Sequence, residues 1–209
     1  MIIASFDMGI KNFAFCIEEI DREQLPNRIN RSFQEDGSPT EEYQTQLDQV
    51  YKTGKILDAK NIDLTALLTK NHSDMDIYKI LIQVLDSFSN YWNSTDIFLI
   101  EQQMAYGNNA SNIKALRLSQ HCISYFLTIY GSFKSVEEFS SCHKTRILGC
   151  PIKERSKYRL RKHFSISLTQ YILEIRKDPY KQIHDILEKK DDIADCLLMI
   201  QAYKIKNIK

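Results

Sequence analysis

The sequence predicts an α/β protein with a mixed five-stranded sheet, in which the first three strands are antiparallel and helices cover both faces. Three short β-favouring runs come first along the chain, at 2–6, 13–20 and 54–64. Two further strand patterns, at 96–101 and 133–141, then alternate with helical patterns, which is the order of βαβ units. With 209 residues the chain has the length of one full-sized domain, so we expect a single domain over 1–209.

The N-terminal third predicts a hairpin, a polar excursion and a third strand. IIASF at 2–6 stops at Asp7-Met8-Gly9, and the few residues before FAFCIEEI at 13–20 make the two strands a hairpin. Residues 21–50 are polar and contain two prolines and a glycine, so we expect a long excursion from the domain there. GKILDAKNIDL at 54–64 is the third strand.

The remaining elements alternate between helix and strand. Apolar residues at i, i+3 and i+4 make 75–92 an amphipathic helix, and DIFLIE at 96–101 is typical of a buried strand that ends in a carboxylate. A long helix at 111–131 closes at a glycine, and a weaker strand follows at 133–141. A basic helix at 157–177 and a final helix carrying DDIADCLLMIQAY complete the chain.

Four carboxylates lie where they can meet at one edge of the sheet. Asp7 ends the first strand and Glu101 ends the 96–101 strand, and ligand sites gather at the carboxyl ends of strands in such sheets. Asp192 and Asp195 are three positions apart and project from one face of the final helix, whereas Asp191 is expected to face water. Such a cluster repels itself unless cations occupy it, and its hard oxygen ligands suit two Mg²⁺ ions, or Mn²⁺ in their place.

Each of these acids also has a simpler interpretation. Asp7 is equally suited to a turn before Gly9, and Glu101 to the ordinary end of a strand. Asp192 and Asp195 are favourable first-turn residues of a helix, because the helix dipole stabilises negative charge there. The metal-site interpretation is preferred because one arrangement accounts for all four positions.

Charge is distributed unevenly along a chain whose formal net charge is only +1. The segment 144–163 contains eight lysines and arginines against one acid, which predicts a polyanionic partner such as nucleic acid. The alternative is a solvated helical face. The predicted backbone contacts in this segment are Lys144, Arg146, Lys153, Arg155, Lys157, Arg159 and Arg161.

Several classes of protein are disfavoured by the composition. Five cysteines without a CxxC pair indicate reduced thiols rather than disulfides or a zinc site. No apolar run approaches the length of a membrane span, and the N-terminus lacks the features of a signal or transit peptide. We therefore expect a soluble intracellular protein with no membrane partner.

Three stretches, in this order, resemble a known family: SFDMGIKNFAFCIEE, FLIEQQMAYGNNASNIKALRLSQ and KKDDIADCLLM. They are similar to the Holliday junction resolvases of poxviruses and other large DNA viruses, relatives of RuvC and of the yeast mitochondrial resolvases in the RNase H-like superfamily. The resemblance covers most of the chain but little of 21–50. It implies an RNase H-like fold, two Mg²⁺ ions, symmetrical nicking of four-way DNA junctions by a homodimer and, for a virus with a cytoplasmic phase, the host cytoplasm.

The resemblance also implies roles for individual residues. Asp7 matches the first-strand acid of the family, Glu101 the acid that ends the fourth strand, and Asp192 and Asp195 the D-x-x-D pair of the last helix. The family uses a lysine upstream of that pair, for which Lys162 is the best match, although its neighbours Arg161 and Lys157 leave the choice open. A lysine there can stabilise charge on the scissile phosphate; the alternative is an ordinary phosphate-contacting lysine.

Two loops are candidate DNA contacts, and one helix is a candidate dimer surface. Lys11 and Asn12 follow the first strand, and Asn108 and Asn109 precede the helix at 111–131, whose N-terminus can accept a phosphate or be a plain cap at Ser111. The same helix carries apolar residues over a wide arc, which favours a self-complementary dimer surface or ordinary core burial.

Other functional classes share parts of this pattern. One is a different RNase H-like nuclease, acting on RNA–DNA hybrids or in recombination and repair. Another is a non-catalytic protein that binds DNA junctions. An actin-like ATP-binding protein also ends its first strand in Asp-x-Gly, but the chain is short for the duplicated domains of that class, so we expect no nucleotide cofactor.

Overall fold

A computed structural model describes residues 1–103, 110–151 and 158–208. Five strands and eight helices occur within these ranges. The strands are β1 (Ile2–Asp7), β2 (Phe13–Ile20), β3 (Gly54–Ile62), β4 (Ile97–Glu101) and β5 (Ser135–Phe139). The helices are α1 (Glu41–Lys52), α2 (Asp74–Ser87), α3 (Ser89–Ser94), α4 (Ala110–Tyr130), α5 (Ser141–Ile147), α6 (Tyr158–Arg176), α7 (Tyr180–Ile186) and α8 (Asp191–Asn207).

The strands form one mixed sheet in the order β3-β2-β1-β4-β5. β1, β2 and β3 pair antiparallel, whereas β1, β4 and β5 run parallel. The mixed five-stranded sheet predicted from the sequence is therefore confirmed. In the parallel half Phe6 lies opposite Ile100, so the residues that follow them, Asp7 and Glu101, end neighbouring strands at the same edge.

Helices cover both faces of this sheet, as predicted. The alternation of side chains along β1 shows the division: Ile3 packs in the layer of α1, α6 and α8, whereas Ala4 and Phe6 pack in the layer of α2, α3 and α4. Apolar residues of α8 that follow its acidic first turn, among them Leu197 and Ile200, are fully buried in the first layer. The acidic end of α8 is thus fixed by the core that the rest of the helix enters.

The polar excursion is shorter than predicted. Residues 41–52 form α1, which begins after Thr40, whose hydroxyl accepts a hydrogen bond from the backbone N–H of Tyr43. Tyr43, Leu47 and Val50 of this helix are fully buried. The prediction of an excursion over 21–50 is therefore wrong for its last ten residues, because the few apolar positions of α1 are interspersed with polar ones.

The helix predicted at 75–92 is broken at Phe88 into α2 and α3. The break turns Trp92 into the core, where its indole N–H donates to the carbonyl oxygen of Leu85 at 2.6 Å. There the Trp92 ring packs against the rings of Phe6 and Phe15, at centroid distances of 5.5 and 5.4 Å. The two short helices α5 and α7 also lie outside the predicted elements, because each is too short to show a helical period.

A buried ionic cluster connects β2 with α6 and α8. Glu18, fully buried, accepts hydrogen bonds from Arg176 at 3.1 Å, Lys204 at 2.8 Å and Gln201 at 2.6 Å. Burial alone would raise the pKa of Glu18, but the two cations outweigh it and hold that pKa below its usual value. A Cβ atom at Gly54 would lie 1.7 Å from a Glu18 carboxylate oxygen, so only glycine leaves room for the cluster there.

Candidate active site

Two carboxylates meet at the end of the parallel strands. Asp7 is the last residue of β1 and Glu101 the last of β4. The pKa of Asp7 is raised well above its usual value, first by burial and then by the charge and hydrogen bonding of Glu101. Two carboxyl groups this close together bind a proton, or a cation, more readily than a single isolated carboxyl group does.

The start of α8 brings two more carboxylates to the same place. The hydroxyl of Ser5 on β1 donates to the carbonyl oxygen of Cys196 on α8 at 2.8 Å, and both residues are fully buried. This contact holds the first turns of α8 against β1, so that Asp192 and Asp195 face the strand ends. The four acids predicted to converge, Asp7, Glu101, Asp192 and Asp195, therefore line one cavity of about 280 Å³.

Asp192 is held by two neighbours. The side-chain amide of Asn61, near the end of β3, donates to Asp192 Oδ2 at 2.9 Å. The ammonium group of Lys189 lies 2.5 Å from the same oxygen. These contacts fix the rotation of the carboxylate, and Asn61 is a site residue that the sequence did not indicate.

Asp191 was predicted to face water, but in the structure it does not. It is buried and forms an ion pair with Lys162 of α6. Burial would raise the pKa of Asp191, but its hydrogen bond with Lys162 and the charge of that lysine lower it. The prediction was wrong because the sequence did not reveal that a cation on a neighbouring helix would compensate the buried charge.

Lys144 lies among the carboxylates of the cavity. Its ammonium nitrogen is 3.0 Å from Asp195 Oδ1 and 3.8 Å from Glu101 Oε1, and its side chain is only 5% exposed. Burial would lower the pKa of Lys144, but the charges of Asp195, Glu101 and Asp7 raise it, so the amine stays protonated. The sequence had indicated Lys144 only as a DNA-backbone contact. Lys144 lies on α5, the helix that follows β5, and because β5 is the third parallel strand, this order is the signal that places it at the same sheet edge.

Lys162, the lysine selected from the family resemblance, also lines the cavity, together with Arg161 and Tyr158. Its ammonium group pairs with Asp191 and lies 5.0 Å from the ring centroid of Tyr158. Partial burial would lower the pKa of Lys162, but the hydrogen bonds with Asp191 and Tyr158 raise it. The two lysines thus enter the cavity from different helices and with different carboxylate partners.

The donor set fits hard divalent cations, although the present arrangement is not a preformed cage. In the described parts of the chain, no group of three or more acidic, histidine or cysteine side chains is already arranged to hold a metal ion. Lys144 bridges Glu101 and Asp195 in this conformation and supplies positive charge that the cluster requires. Four carboxylates line the cavity, and its described lining residues include no sulfur or imidazole ligand, which matches the oxygen coordination that Mg²⁺ and Mn²⁺ prefer.

The predicted DNA contacts are dispersed around the molecule. Lys11 is exposed and Asn12 half-buried in the turn between β1 and β2, and Lys11 lines a separate cavity with Lys70 and Lys114. Arg159 is exposed on α6. Five further predicted contacts lie outside the described residues: Asn108, Asn109, Lys153, Arg155 and Lys157. Helix α4 begins at Ala110, so Ser111 lies within its first turn.

Two findings bear on the classes of protein considered above. The thiols of Cys16, Cys122 and Cys196 are free, and all three residues, like Cys150, are buried. None of the helices in the described ranges combines the length and apolarity needed to cross a lipid bilayer.

Comparison with known proteins gives viral relatives and a shared fold. No family model matches the chain. Uncharacterized protein 170L of Invertebrate iridescent virus 6 is 30% identical to it over 97% of this chain and 88% of the relative. Uncharacterized protein 97L of Invertebrate iridescent virus 3 is 29% identical over 97% of this chain and 99% of the relative.

Three solved structures share the fold across nearly the whole chain. The Fowlpox virus resolvase, solved with its Holliday junction DNA substrate, superimposes with a TM-score of 0.59 and 20% identity over all of both chains. The yeast mitochondrial Holliday junction resolvase Ydc2 gives 0.57 and 14%, over 98% of this chain and 81% of Ydc2. Thermus thermophilus RuvC gives 0.55 and 11%, over 97% and 95%. The RNase H-like, RuvC-type fold predicted from the sequence is therefore confirmed.

Proposed function

The chain belongs to the same family as uncharacterized protein 170L of Invertebrate iridescent virus 6, and we propose that it is a metal-dependent endonuclease that resolves four-way DNA junctions. One observation carries the proposal: four carboxylates from β1, β4 and α8 line a single cavity that also contains two lysines. The RuvC-type fold supports it, because solved structures of that fold include resolvases with junction DNA bound.

Asp7, Glu101, Asp192 and Asp195 are the residues that would hold two Mg²⁺ ions, or Mn²⁺. Bound divalent ions supply Lewis-acid stabilisation of a phosphodiester and lower the pKa of attacking water. With Glu101 and Asp195 engaged as metal ligands, the ammonium group of Lys144, which now contacts both, would be available to a phosphate oxygen at the mouth of the cavity. A lysine positioned there stabilises negative charge that develops on the phosphate during cleavage.

The substrate and the assembly are part of the same proposal. A four-way junction presents two equivalent strands, so paired symmetric nicks require two active sites related by a two-fold axis. A homodimer supplies them. Both curated relatives are viral proteins, and the proposal therefore places the enzyme in an infected cell.

The decisive experiment is nicking of a synthetic immobile four-way junction by the purified full chain, with Mg²⁺, Ca²⁺ or EDTA in parallel. We expect paired nicks with Mg²⁺ and none with EDTA, and slower cleavage of linear duplex and of an RNA–DNA hybrid. Asp7→Asn and Glu101→Gln should abolish nicking while the chain stays folded. Asp185→Asn, at an exposed carboxylate outside the cavity, is the matched control and should cleave normally.

Three outcomes would contradict this assignment. Turnover close to that of the wild type in Asp7→Asn would show that the carboxylate cluster is not catalytic. Faster cleavage of the RNA–DNA hybrid than of the junction would favour a different RNase H-like nuclease. Tight junction binding without nicking in any divalent metal would instead indicate a non-catalytic junction-binding protein.

A further inference from the structure

A second cavity, of about 480 Å³, has a different character from the acidic one. Its described lining residues are Arg31, Phe33, Arg146, Ile147 and Lys206; three of these five are cationic and none is acidic. These residues come from the polar segment 21–40, from α5 and from the end of α8. We call it the basic cavity; none of the described residues lines both it and the acidic cavity.

The positive charge of the basic cavity is not neutralised by neighbouring acids. Within the described ranges, Arg31, Arg146 and Lys206 form no ion pair with a carboxylate. The ammonium group of Lys206 lies 5.7 Å from the ring centroid of Phe139. Three such cations around a concave surface attract an anion, and guanidinium groups in particular suit phosphate oxygens.

An aromatic ring is held in place at the same cavity. Phe33 is 41% exposed, although its ring packs edge-to-face on buried Tyr43 at a centroid distance of 5.2 Å. The backbone around it is ordered by a bridge between Phe33 and Pro39 and by a 2.8 Å hydrogen bond from the N–H of Gln34 to the carbonyl oxygen of Ser38. The exposed part of the ring is therefore a fixed apolar surface beside three cations.

We propose that the basic cavity binds an unpaired nucleotide of the DNA substrate, with its phosphate on the cations and its base stacked on Phe33. This inference rests on the proposed function and adds a site to it. Fixed aromatic rings beside a positive surface are how proteins hold single-stranded DNA, and the volume is of the size that binds small ligands. A base within a duplex is already stacked on both faces, so the exposed ring favours an unpaired one.

Helix α5 contributes residues to both the basic cavity and the acidic cavity. Arg146 lies two residues after Lys144 on this helix. The hydroxyl of Tyr43 donates to the carbonyl oxygen of Ile147 at 2.7 Å. Gly149, at φ +73°, packs so closely on Pro39 that an added Cβ atom would lie 2.4 Å from its ring. A nucleotide bound in the basic cavity would therefore contact α5, the helix that places Lys144 among the carboxylates.

The test is binding of a fluorescent oligothymidylate to the full chain in EDTA, measured by anisotropy, with duplex DNA and thymidine monophosphate as competitors. Phe33→Ala should weaken single-strand binding by about 5- to 150-fold, because it removes one stacked base. Phe33→Tyr should bind like the wild type. Phe133→Ala, at an exposed aromatic residue outside the cavity, is the matched control and should have no effect. Arg31→Ala should lower the salt dependence by about one counterion.

Three results would overturn the inference. One is a Phe33→Ala variant that binds the oligonucleotide as tightly as Phe133→Ala does. A second is wild-type binding by Phe33→Leu, which retains apolar packing on Tyr43 but has no ring to stack; this variant also controls for loss of folding. The third is competition by thymidine monophosphate equal to that of the oligonucleotide. Because no cleavage occurs in EDTA, these results are independent of the nicking assay that tests the proposed function.

Discussion

Lys144 stabilises the acidic cluster in the absence of metal. Its ammonium group lies 3.0 Å from Asp195 and 3.8 Å from Glu101. Burial and Glu101 raise the pKa of Asp7, and the charge of Lys144 offsets part of that rise. Lys162 differs, because its charge is already compensated by Asp191 outside the four-acid set. The geometry therefore favours Lys144 over Lys162 as the lysine that contacts the scissile phosphate.

Replacing each lysine by methionine distinguishes the two. Lys144→Met should lower the single-turnover nicking rate by about 10²- to 10³-fold, the usual effect of removing one charge-stabilising donor. Junction binding measured in Ca²⁺ should change little. Lys162→Met should have the smaller effect on the rate, and is the matched variant from the same cavity. The reverse ranking would return the catalytic role to Lys162, and a loss of binding alone would make Lys144 an ordinary phosphate contact.

Asn61 illustrates a residue that acts through another. Its amide fixes the orientation of Asp192, so Asn61→Ala should raise the Mg²⁺ concentration for half-maximal nicking by about 10- to 100-fold, as loss of an outer-shell partner usually does. The maximal rate at saturating Mg²⁺ should recover. Asn93→Ala, which loses only a contact to Tyr130, is the control. An unchanged Mg²⁺ midpoint with a lower maximal rate would exclude this positioning role.

At the scale of whole elements, α8 joins the chemistry to the stability of the fold. Its first two turns supply Asp192 and Asp195, and its later turns bury Gln201 and Lys204 beside Glu18 of β2. Between these two groups of residues, the carbonyl oxygen of Cys196 accepts a hydrogen bond from the hydroxyl of Ser5 on β1. Because one rigid helix carries both groups, an error in its packing would displace the carboxylates.

Glu18→Gln tests how strongly the buried cluster holds these elements together. The change leaves Arg176 and Lys204 buried without a carboxylate, so it should lower the free energy of unfolding by about 3–5 kcal/mol. Glu19→Gln, at the adjacent exposed position, should have almost no effect. The measurement is urea denaturation at neutral pH.

The pH dependence of that difference follows from the lowered pKa of Glu18. A carboxylate with a lowered pKa in the fold stabilises it above the unfolded value of about 4.3, and this contribution is lost as the pH falls below that value. The gap in stability between wild type and Glu18→Gln should therefore narrow in acid. If the difference in unfolding free energy between wild type and Glu18→Gln stays constant down to the lowest pH at which the protein folds, packing and not charge accounts for that difference.

The sequence predicted the elements whose pattern is local and missed those whose role is set by distant neighbours. Asp7 and Glu101 were found because each ends an apolar strand, and Asp195 because of its spacing from Asp192. Lys144 was predicted only as a DNA-backbone contact and Asn61 not at all, since only the parallel placement of β5 and the pairing of β3 bring them to the cavity. Helix α1 was missed for a similar reason: its few apolar residues gain meaning only against the buried layer of α6 and α8.

At the scale of the whole molecule, one face of α4 has no partner within the described chain. Ile113 and Leu127 are 40% and 51% exposed and lie fourteen residues apart, which places them on one face of the helix. Phe126 and Tyr130, on the adjoining face, are buried in the core. The sequence left open whether this helix forms a dimer surface or is buried in the core. In the structure one face is buried in the core, and the exposed face is available to a second copy of the chain.

If that face forms the dimer, Leu127→Glu should separate the subunits, because two glutamates would face each other across a two-fold axis in an apolar contact. Light scattering should give twice the 24.5 kDa chain mass for the wild type and the single mass for the variant. Ile186→Glu, at an 83% exposed position on α7, should remain dimeric. Since paired nicks need both sites on one junction, the monomeric variant should release singly nicked junctions that stay unresolved. A wild type that is monomeric at micromolar concentration, or a Leu127→Glu variant that still pairs its nicks, would place the dimer surface elsewhere.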